Sequence, residues 1–346
     1  MFLSGFMDWL FSYSDEIGID LGTANTVIYV KDHGIVLREP SVVAIDTRTD
    51  EVLAVGEDAR NMIGKTPGRI IAMKPLKDGV IADYDKTKAM LSHFIKKATK
   101  RAKPLTFMLR RKVVIGIPSG ITNVERDAVR DACFDSGARK IFLVEEPMAA
   151  AIGCNMSISE AVGNMIVDIG GGTTEVAVIS LDGIVTSTSI RVAGDELDRA
   201  IMDYARKRYN LQIGERTAER IKIEIGCAHP SSEVLTCEIR GMDQVTGLPK
   251  SLEINSAEVR EAMQENIDLI LKAVRETLED TPPELAADII EQGIMLAGGG
   301  ALLRDLDLLI SKDTGIVTKV APEPLLAVAR GTQHIIENPR MYMSFL

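Results

Sequence analysis

Short apolar, β-branched runs alternate along this chain with longer stretches of helical period. Residues 17–21, 27–30, 113–117, 141–144, 165–169, 176–179 and 294–297 read as strands. The helical stretches carry their own start and stop signals. Thr122 and Glu125 form a capping box, and Gly137 closes that helix. Asp195 stands where it can cap a helix running to about Asn210, and Thr217 where it can open one that closes at Gly226. Thr281-Pro282-Pro283-Glu284 combines an N-cap, a proline at the first helical position and a carboxylate at the third. Strands alternating with helices predict an α/β fold with mixed sheets.

One internal repeat organises the pattern. Residues 17–30 read IGIDLGTANTVIYV and residues 165–178 read MIVDIGGGTTEVAV. Asp20 aligns with Asp168, Gly22 with Gly170, Thr26 with Thr174 and Val30 with Val178, at a constant offset of 148. Each copy runs strand, glycine turn, strand. Two related domains, each opening with the same hairpin and facing the other across a cleft, are the expectation.

The turns suggest chemistry. Glycines let the backbone adopt unusual dihedrals and approach a ligand closely, and N–H groups in such a loop form an anion-binding nest. Two nests, at Gly22-Thr23-Ala24-Asn25 and Gly170-Gly171-Gly172-Thr173, fit a phosphate chain gripped from both sides. Asp20 and Asp168 would flank it, which makes sense with Mg²⁺ between them, held through waters. A third cluster, Gly298-Gly299-Gly300-Ala301, follows strand 294–297. It reads either as a corner admitting a flat base and ribose or as a bare helix start. Glu145-Glu146-Pro147 follows strand 141–144. Pro147 suits the first helical position and should force Glu146 out of α geometry at a strand's carboxyl end, where open α/β sheets bind ligands. A carboxylate there fits orienting a water for attack on a γ-phosphate. It equally fits a helix-start charge, and the pattern alone does not separate Glu145 from Glu146. No G-x-x-x-x-G-K-[ST], G-x-G-x-x-G, HExxH or GxSxG occurs.

Composition narrows the classes. The net charge of −10 over 346 residues argues against a nucleic-acid partner. Four cysteines at 133, 154, 227 and 237 form no CxxC pair and read as a reduced, cytosolic setting. No apolar run reaches the roughly 18 residues that a membrane-spanning helix needs. Two segments still point to a membrane surface. Residues 1–14 hold five of the 15 aromatics, and Phe2, Phe6, Trp9 and Leu10 share one face of an amphipathic helix. It lacks a signal peptide's basic start and small-residue cleavage site, so it reads as an interfacial helix or one docked on the protein's own core. Segment 96–112 carries eight basic and no acidic residues around Leu105 and Phe107. That suits a tip inserted into an anionic bilayer, or the start of the next strand.

Together the motifs resemble a known group. IDLGTANT at 19–26, EEPMAAAIG at 145–153, VDIGGGTTEVAV at 167–178 and AGGGALL at 297–303 look like the phosphate-1, connect-1, phosphate-2 and adenosine motifs of the actin, Hsp70 and sugar-kinase superfamily. Their wording and order, with DGVIADY at 78–84, GERTAERIKIEIG at 214–226 and TPPELAADI at 281–289, resemble the MreB family of bacterial actin-like cell-shape proteins.

The resemblance implies an actin-like ATPase fold, U-shaped, of four subdomains after the 1–14 segment. IA would hold 15–42, 77–158 and 326–346, IB 43–76, IIA 159–195 and 256–325, and IIB 196–255. ATP or ADP with Mg²⁺ would lie in the cleft. Thr23, Ala24 and Asn25 match the first phosphate loop, and Gly171, Gly172 and Thr173 the second. Glu219, Arg220, Ile221 and Lys222 match the helix bordering the adenosine. Gly299, Gly300, Ala301 and Leu302 match the adenosine loop. Glu146 matches the residue that positions the attacking water, with Thr173 assisting. The implied activity is ATP hydrolysis coupled to membrane-associated filaments that organise cell-wall synthesis and rod-like shape. The implied partners are other copies of the chain, the cytoplasmic face of the inner membrane and cell-wall elongation membrane proteins. A metabolic kinase or chaperone-type ATPase on the same fold is the competing reading. A chaperone expects a peptide-binding domain, whereas only 16 residues follow Arg330. Sugar kinases expect larger insertions than 43–76.

Overall fold

The computed structural model describes residues 15–102, 111–230 and 233–342. The chain divides into two compact units, Met1–Met156 with Leu326–Leu346, and Ser157–Leu325.

The first unit is built on strands β1 (Glu16–Leu21), β2 (Asn25–Val30), β3 (Gly34–Pro40), β4 (Arg111–Ile117) and β5 (Ala138–Glu145). They form one sheet in the order β5-β4-β1-β2-β3. The second unit is built on β6 (Asn164–Ile169), β7 (Thr174–Ser180), β8 (Gly183–Ile190), β9 (Ile294–Ala297) and β10 (Thr318–Val320). Its order is β10-β9-β6-β7-β8, the same topology. In both, the first three strands pair antiparallel and the other two join in parallel.

The repeat extends to the hydrogen-bond register. Ile17 pairs with Val30 and Leu21 with Thr26, while Met165 pairs with Val178 and Ile169 with Thr174. Every partner moves by the offset seen in the sequence. All six residues of β6 are buried, so it reads as a nearly continuous apolar run rather than an alternating one.

Among the described residues, the α-helices longer than four residues are α1 (Tyr84–Ala102), α2 (Asn123–Asp135), α3 (Glu146–Gly153), α4 (Gly194–Tyr209), α5 (Glu215–Ile225), α6 (Ser256–Glu279), α7 (Pro283–Gln292), α8 (Leu306–Thr314) and α9 (Ala327–Glu337). Ile17, Ile19, Leu91, Phe94 and Ile115 anchor the core of the first unit. Met165, Val167, Ile201, Ile221, Met263 and Leu296 anchor that of the second. Each unit also carries a small three-stranded sheet. One holds Val43–Asp46, Val52–Val55 and Ile70–Met73; the other holds Leu211–Gln212, Thr236–Asp243 and Pro249–Asn255.

The capping box of α2 is present in full. Three other helix starts differ from the sequence expectation. α4 begins at Gly194 after Ala193, which places Asp195 inside the first turn. α5 begins at Glu215 after Gly214, so Thr217 is also inside. α7 is preceded by Pro282, and the Thr281 hydroxyl donates back to Thr277 O at 2.6 Å. None of the three starts has a side-chain cap hydrogen bond, and at α4 the Gly194 and Asp195 N–H groups go instead to carbonyls of residues 170 and 171.

α9 packs against α3 and β1 through glycines. A Cβ on Gly331 would lie 1.8 Å from Ala149 O, and one on Gly153 would lie 1.9 Å from Ala327 O. Such contacts with backbone cannot be relieved by a rotamer change. Gly331→Ala should therefore cost about 3 kcal/mol or more, roughly 6 °C or more in Tm. Gly68→Ala, where nothing lies within 4 Å, is the control. Thermal unfolding of both variants checks this, and a Gly331→Ala chain as stable as the control would refute it.

Candidate functional site

Three carboxylates and a glycine turn gather at the carboxyl ends of the parallel strands in the first unit. Ile19 is level with Ile115, and Ile115 with Leu143, so Asp20 on β1 and Glu145–Glu146 at the end of β5 stand at the same sheet edge. Two strand spacings separate them, roughly 10 Å. The turn Gly22-Thr23-Ala24 is braced from behind. Ser41, fully buried, donates its hydroxyl to Gly22 O at 2.6 Å and its N–H to Ala24 O at 3.0 Å. The Thr26 hydroxyl lies 2.9 Å from the Ser41 hydroxyl. Gly79 donates its N–H to Thr23 Oγ1 at 3.3 Å. The turn's carbonyls are thus drawn inward. The N–H groups of Thr23 and Ala24 donate to no backbone carbonyl among the described residues, which leaves them for an anion.

Asp20 has no hydrogen bond or ion pair among the described residues. Burial pushes its carboxyl from the ordinary 3.8 up to about 7, although its side chain keeps some solvent contact. An acid in that position lacks a positive partner, and a divalent cation would supply one. No group of three or more His, Cys, Asp or Glu residues capable of holding a metal occurs among the described residues. A Mg²⁺ ion would therefore depend on waters and phosphate oxygens, as Mg²⁺ commonly does.

Glu146 departs from the sequence expectation. It is the first helical residue of α3, and Glu145, with φ −66° and ψ 135°, is the extended residue before it. Pro147 consequently occupies the second helical position. Ser119 Oγ donates to Glu145 Oε2 at 3.0 Å, which ties Glu145 to the loop after β4. Glu146 Cγ lies 3.5 Å from where a Cβ on Gly116 would be, so this side chain extends over the end of β4.

The second unit holds the counterpart turn. Gly170 N–H donates to Thr173 O at 2.9 Å, and the N-terminus of α4 grips the turn from behind. Gly194 N–H reaches Gly170 O at 3.2 Å, and Asp195 N–H reaches Gly171 O at 2.8 Å. Gly170 is the repeat partner of Gly22, so the same carbonyl is held in both units by different donors. The N–H groups of Gly171 and Gly172 donate to no backbone carbonyl among the described residues. Asp168 and Thr173 are buried beside this turn.

The third glycine cluster forms a short 3₁₀ turn, Gly299–Leu302, and not the start of α8. Gly298 has φ 77°, and a Cβ there would lie 2.3 Å from Ile169 O and 2.4 Å from Asp168 Oδ1. A Cβ on Gly300 would lie 2.2 Å from Ile169 Cγ2. These two glycines let the corner pack on the end of β6 beside Asp168. Gly299 is different, since its Cβ would meet only Leu325 Cδ2 at 3.1 Å. Ala301 is buried and Leu302 exposed.

The four residues singled out on α5 point in different directions. Ile221 is fully buried in the core. Arg220 pairs with Glu224 at 2.7 Å and donates to Glu238 O at 3.1 Å. Glu219 is half-buried. Lys222 turns toward the second glycine turn, with its Nζ 2.7 Å from Gly194 O. Ser41 and Gly194 give no signal in the sequence, Asp195 only that of a helix cap and Gly79 only its place in the 78–84 motif, because each acts through a contact between segments distant in the chain. The membrane candidates Phe2, Phe6, Trp9, Leu10, Leu105 and Phe107 lie outside the described residues. No helix among the described residues is long and apolar enough to cross a membrane.

The comparisons agree with one another. A family model described as MreB/Mbl protein matches residues 14–344. The cell shape-determining protein MreB of Escherichia coli (strain K12) is 53% identical over 337 residues, covering 95% of each chain. The cell shape-determining protein Mbl of Bacillus cereus is 50% identical over 326 residues, covering 94% of this chain and 97% of its own. The crystal structure of MreB5 of Spiroplasma citri bound to AMPPNP superposes with a TM-score of 0.89 at 38% identity, covering 96% of this chain and 98% of that one. The actin-like fold that the resemblance of the motifs implies is thus matched along nearly the whole chain, and the chain belongs to the MreB/Mbl family of actin-like cell-shape proteins.

Proposed function

We propose that this chain binds and hydrolyses ATP, and that nucleotide state governs its assembly into membrane-associated filaments that organise cell-wall synthesis and maintain rod-like shape. The observation that carries the reading is the pair of equivalent glycine turns. Each has its carbonyls drawn inward and backbone N–H groups left over, an arrangement suited to phosphate. The AMPPNP-bound relative supports it.

In this reading Thr23, Ala24 and Asn25 of one unit and Gly171, Gly172 and Thr173 of the other hold the phosphates. Asp20 and Asp168 would hold Mg²⁺ through its waters, and the ion would supply positive charge against the phosphates. Gly299, Gly300, Ala301 and Leu302 border the adenosine, together with Glu219 to Lys222 of α5. Glu146 directs the attacking water, and Thr173 assists. The chain works in the cytoplasm at the inner face of the membrane, beside membrane proteins of cell-wall elongation.

Electron microscopy of the purified chain with ATP on an anionic lipid monolayer tests filaments and membrane together. Ordered filaments on the lipid are the expected result. Removing residues 1–14 should weaken pelleting with anionic liposomes, and adding Leu105→Ser with Phe107→Ser should weaken it further. The remaining binding should fall with salt, because the basic residues of 96–112 act electrostatically. Unchanged pelleting of the combined variant, still folded and binding ATP, would exclude both segments as anchors.

A further inference from the structure

Lys222 projects from α5 onto the first turn of α4. Its Nζ donates to Gly194 O at 2.7 Å and lies 2.8 Å from Asp198 Oδ1. Gly194 in turn donates its N–H to Gly170 O, and Asp195 donates to Gly171 O. A Cβ on Gly194 would lie only 3.4 Å from Lys222 Nζ and 3.7 Å from Gly171 Cα. One continuous set of contacts therefore runs from Asp198 through Lys222 and Gly194 to the second glycine turn.

The charges in this set need explaining. An ammonium at a helix N-terminus opposes the macrodipole, so Lys222 requires a nearby counter-charge. Asp198 supplies it from one turn further along α4, where it is only 8% exposed. Burial raises its carboxyl to about 6, against the lowering effect of Lys222. A buried ion pair is weak ground for stability, since desolvation offsets much of the attraction. What the pair does is fix the ammonium on Gly194 O, and so the backbone that grips Gly170 and Gly171.

We infer that Asp198 is a positioning residue for the second glycine turn and acts on it through Lys222. The inference rests on the nucleotide reading proposed above, in which Thr173 of that turn serves the γ-phosphate. Lys222, which that reading sets beside the adenosine with the rest of its helix turn, carries its ammonium on to the phosphate end through Gly194 O, and Asp198 helps the site distinguish ATP from ADP.

Asp198→Asn keeps the size of the side chain and removes its charge. Affinities of the full chain for fluorescent analogues of ATP and ADP are measured alongside thermal unfolding without nucleotide. Affinity for the ATP analogue should fall about tenfold, the equivalent of one hydrogen bond, and that for the ADP analogue less than about twofold. Lys222→Met should reproduce the pattern, and the double variant should add little, because both residues act through one set of contacts. Asp198→Glu should restore part of the loss. Equal losses for both analogues would assign Lys222 to the adenosine end and overturn the inference, as would no loss at all. If Asp198→Asn does not fold, Lys222→Met carries the same test. A wild-type chain that binds neither analogue would instead overturn the nucleotide reading itself.

Discussion

Glu146→Ala should still bind ATP but release phosphate more slowly by on the order of 10²–10⁴-fold, the range for removing a residue that moves or directs a proton in the transition state. The expectation follows from where α3 begins. Glu146 opens the helix at the carboxyl end of β5, with its side chain extended over Gly116 at the end of β4. Asp20 stands at that same sheet edge. Glu145 is the control, because its carboxylate already accepts the Ser119 hydroxyl at 3.0 Å. Glu145→Ala should alter hydrolysis far less. Single-turnover phosphate release, normalised to bound ATP, separates binding from chemistry. Unchanged release by Glu146→Ala, or an equal loss in Glu145→Ala, would end this assignment.

The difference between Glu145 and Glu146 also shows where the sequence stopped being legible. The motif named both carboxylates, but proline chemistry predicted the wrong backbone for Glu146. The helix begins one residue earlier than Pro147 suggested, so Glu145 takes the extended conformation. The repeat was the most readable feature, because a strand register is set by a period of two and a fixed turn length. Both hairpins, at residues 17–30 and 165–178, keep it to the residue. Local signals failed where tertiary contacts took over. Asp195 looked like a helix cap, yet its backbone N–H is used on Gly171 O. Glycines 298 and 300 read as room for a base, and the sequence did not show that they also let the corner pack on Ile169. Ser41 gave no signal, since its three contacts all lie 15 or more residues away in the chain.

Asp20→Asn should separate function from stability in opposite directions. The wild-type carboxyl is pushed up to about 7 by burial and has no hydrogen bond or ion pair among the described residues. Without nucleotide and metal, that is a cost to the fold, because an ionised group loses hydration and gains no partner there. An amide of the same shape lowers the cost, so the nucleotide-free variant should unfold at the same temperature as the wild type or a few degrees higher at neutral pH. Mg²⁺-dependent hydrolysis should fall roughly 10- to 100-fold, the usual consequence of losing a group that acts on a metal through its waters. Asp168→Ala should lower the same activity. It should not share the gain in stability, because Asp168 is packed against Gly298 at the end of β6, where truncation leaves a gap. Thermal unfolding without nucleotide and phosphate release with Mg²⁺ or with EDTA check both variants. If wild-type release were equal in Mg²⁺ and in EDTA, neither aspartate would serve a metal. If Asp20→Asn lost stability and activity together, Asp20 would be a structural residue of β1.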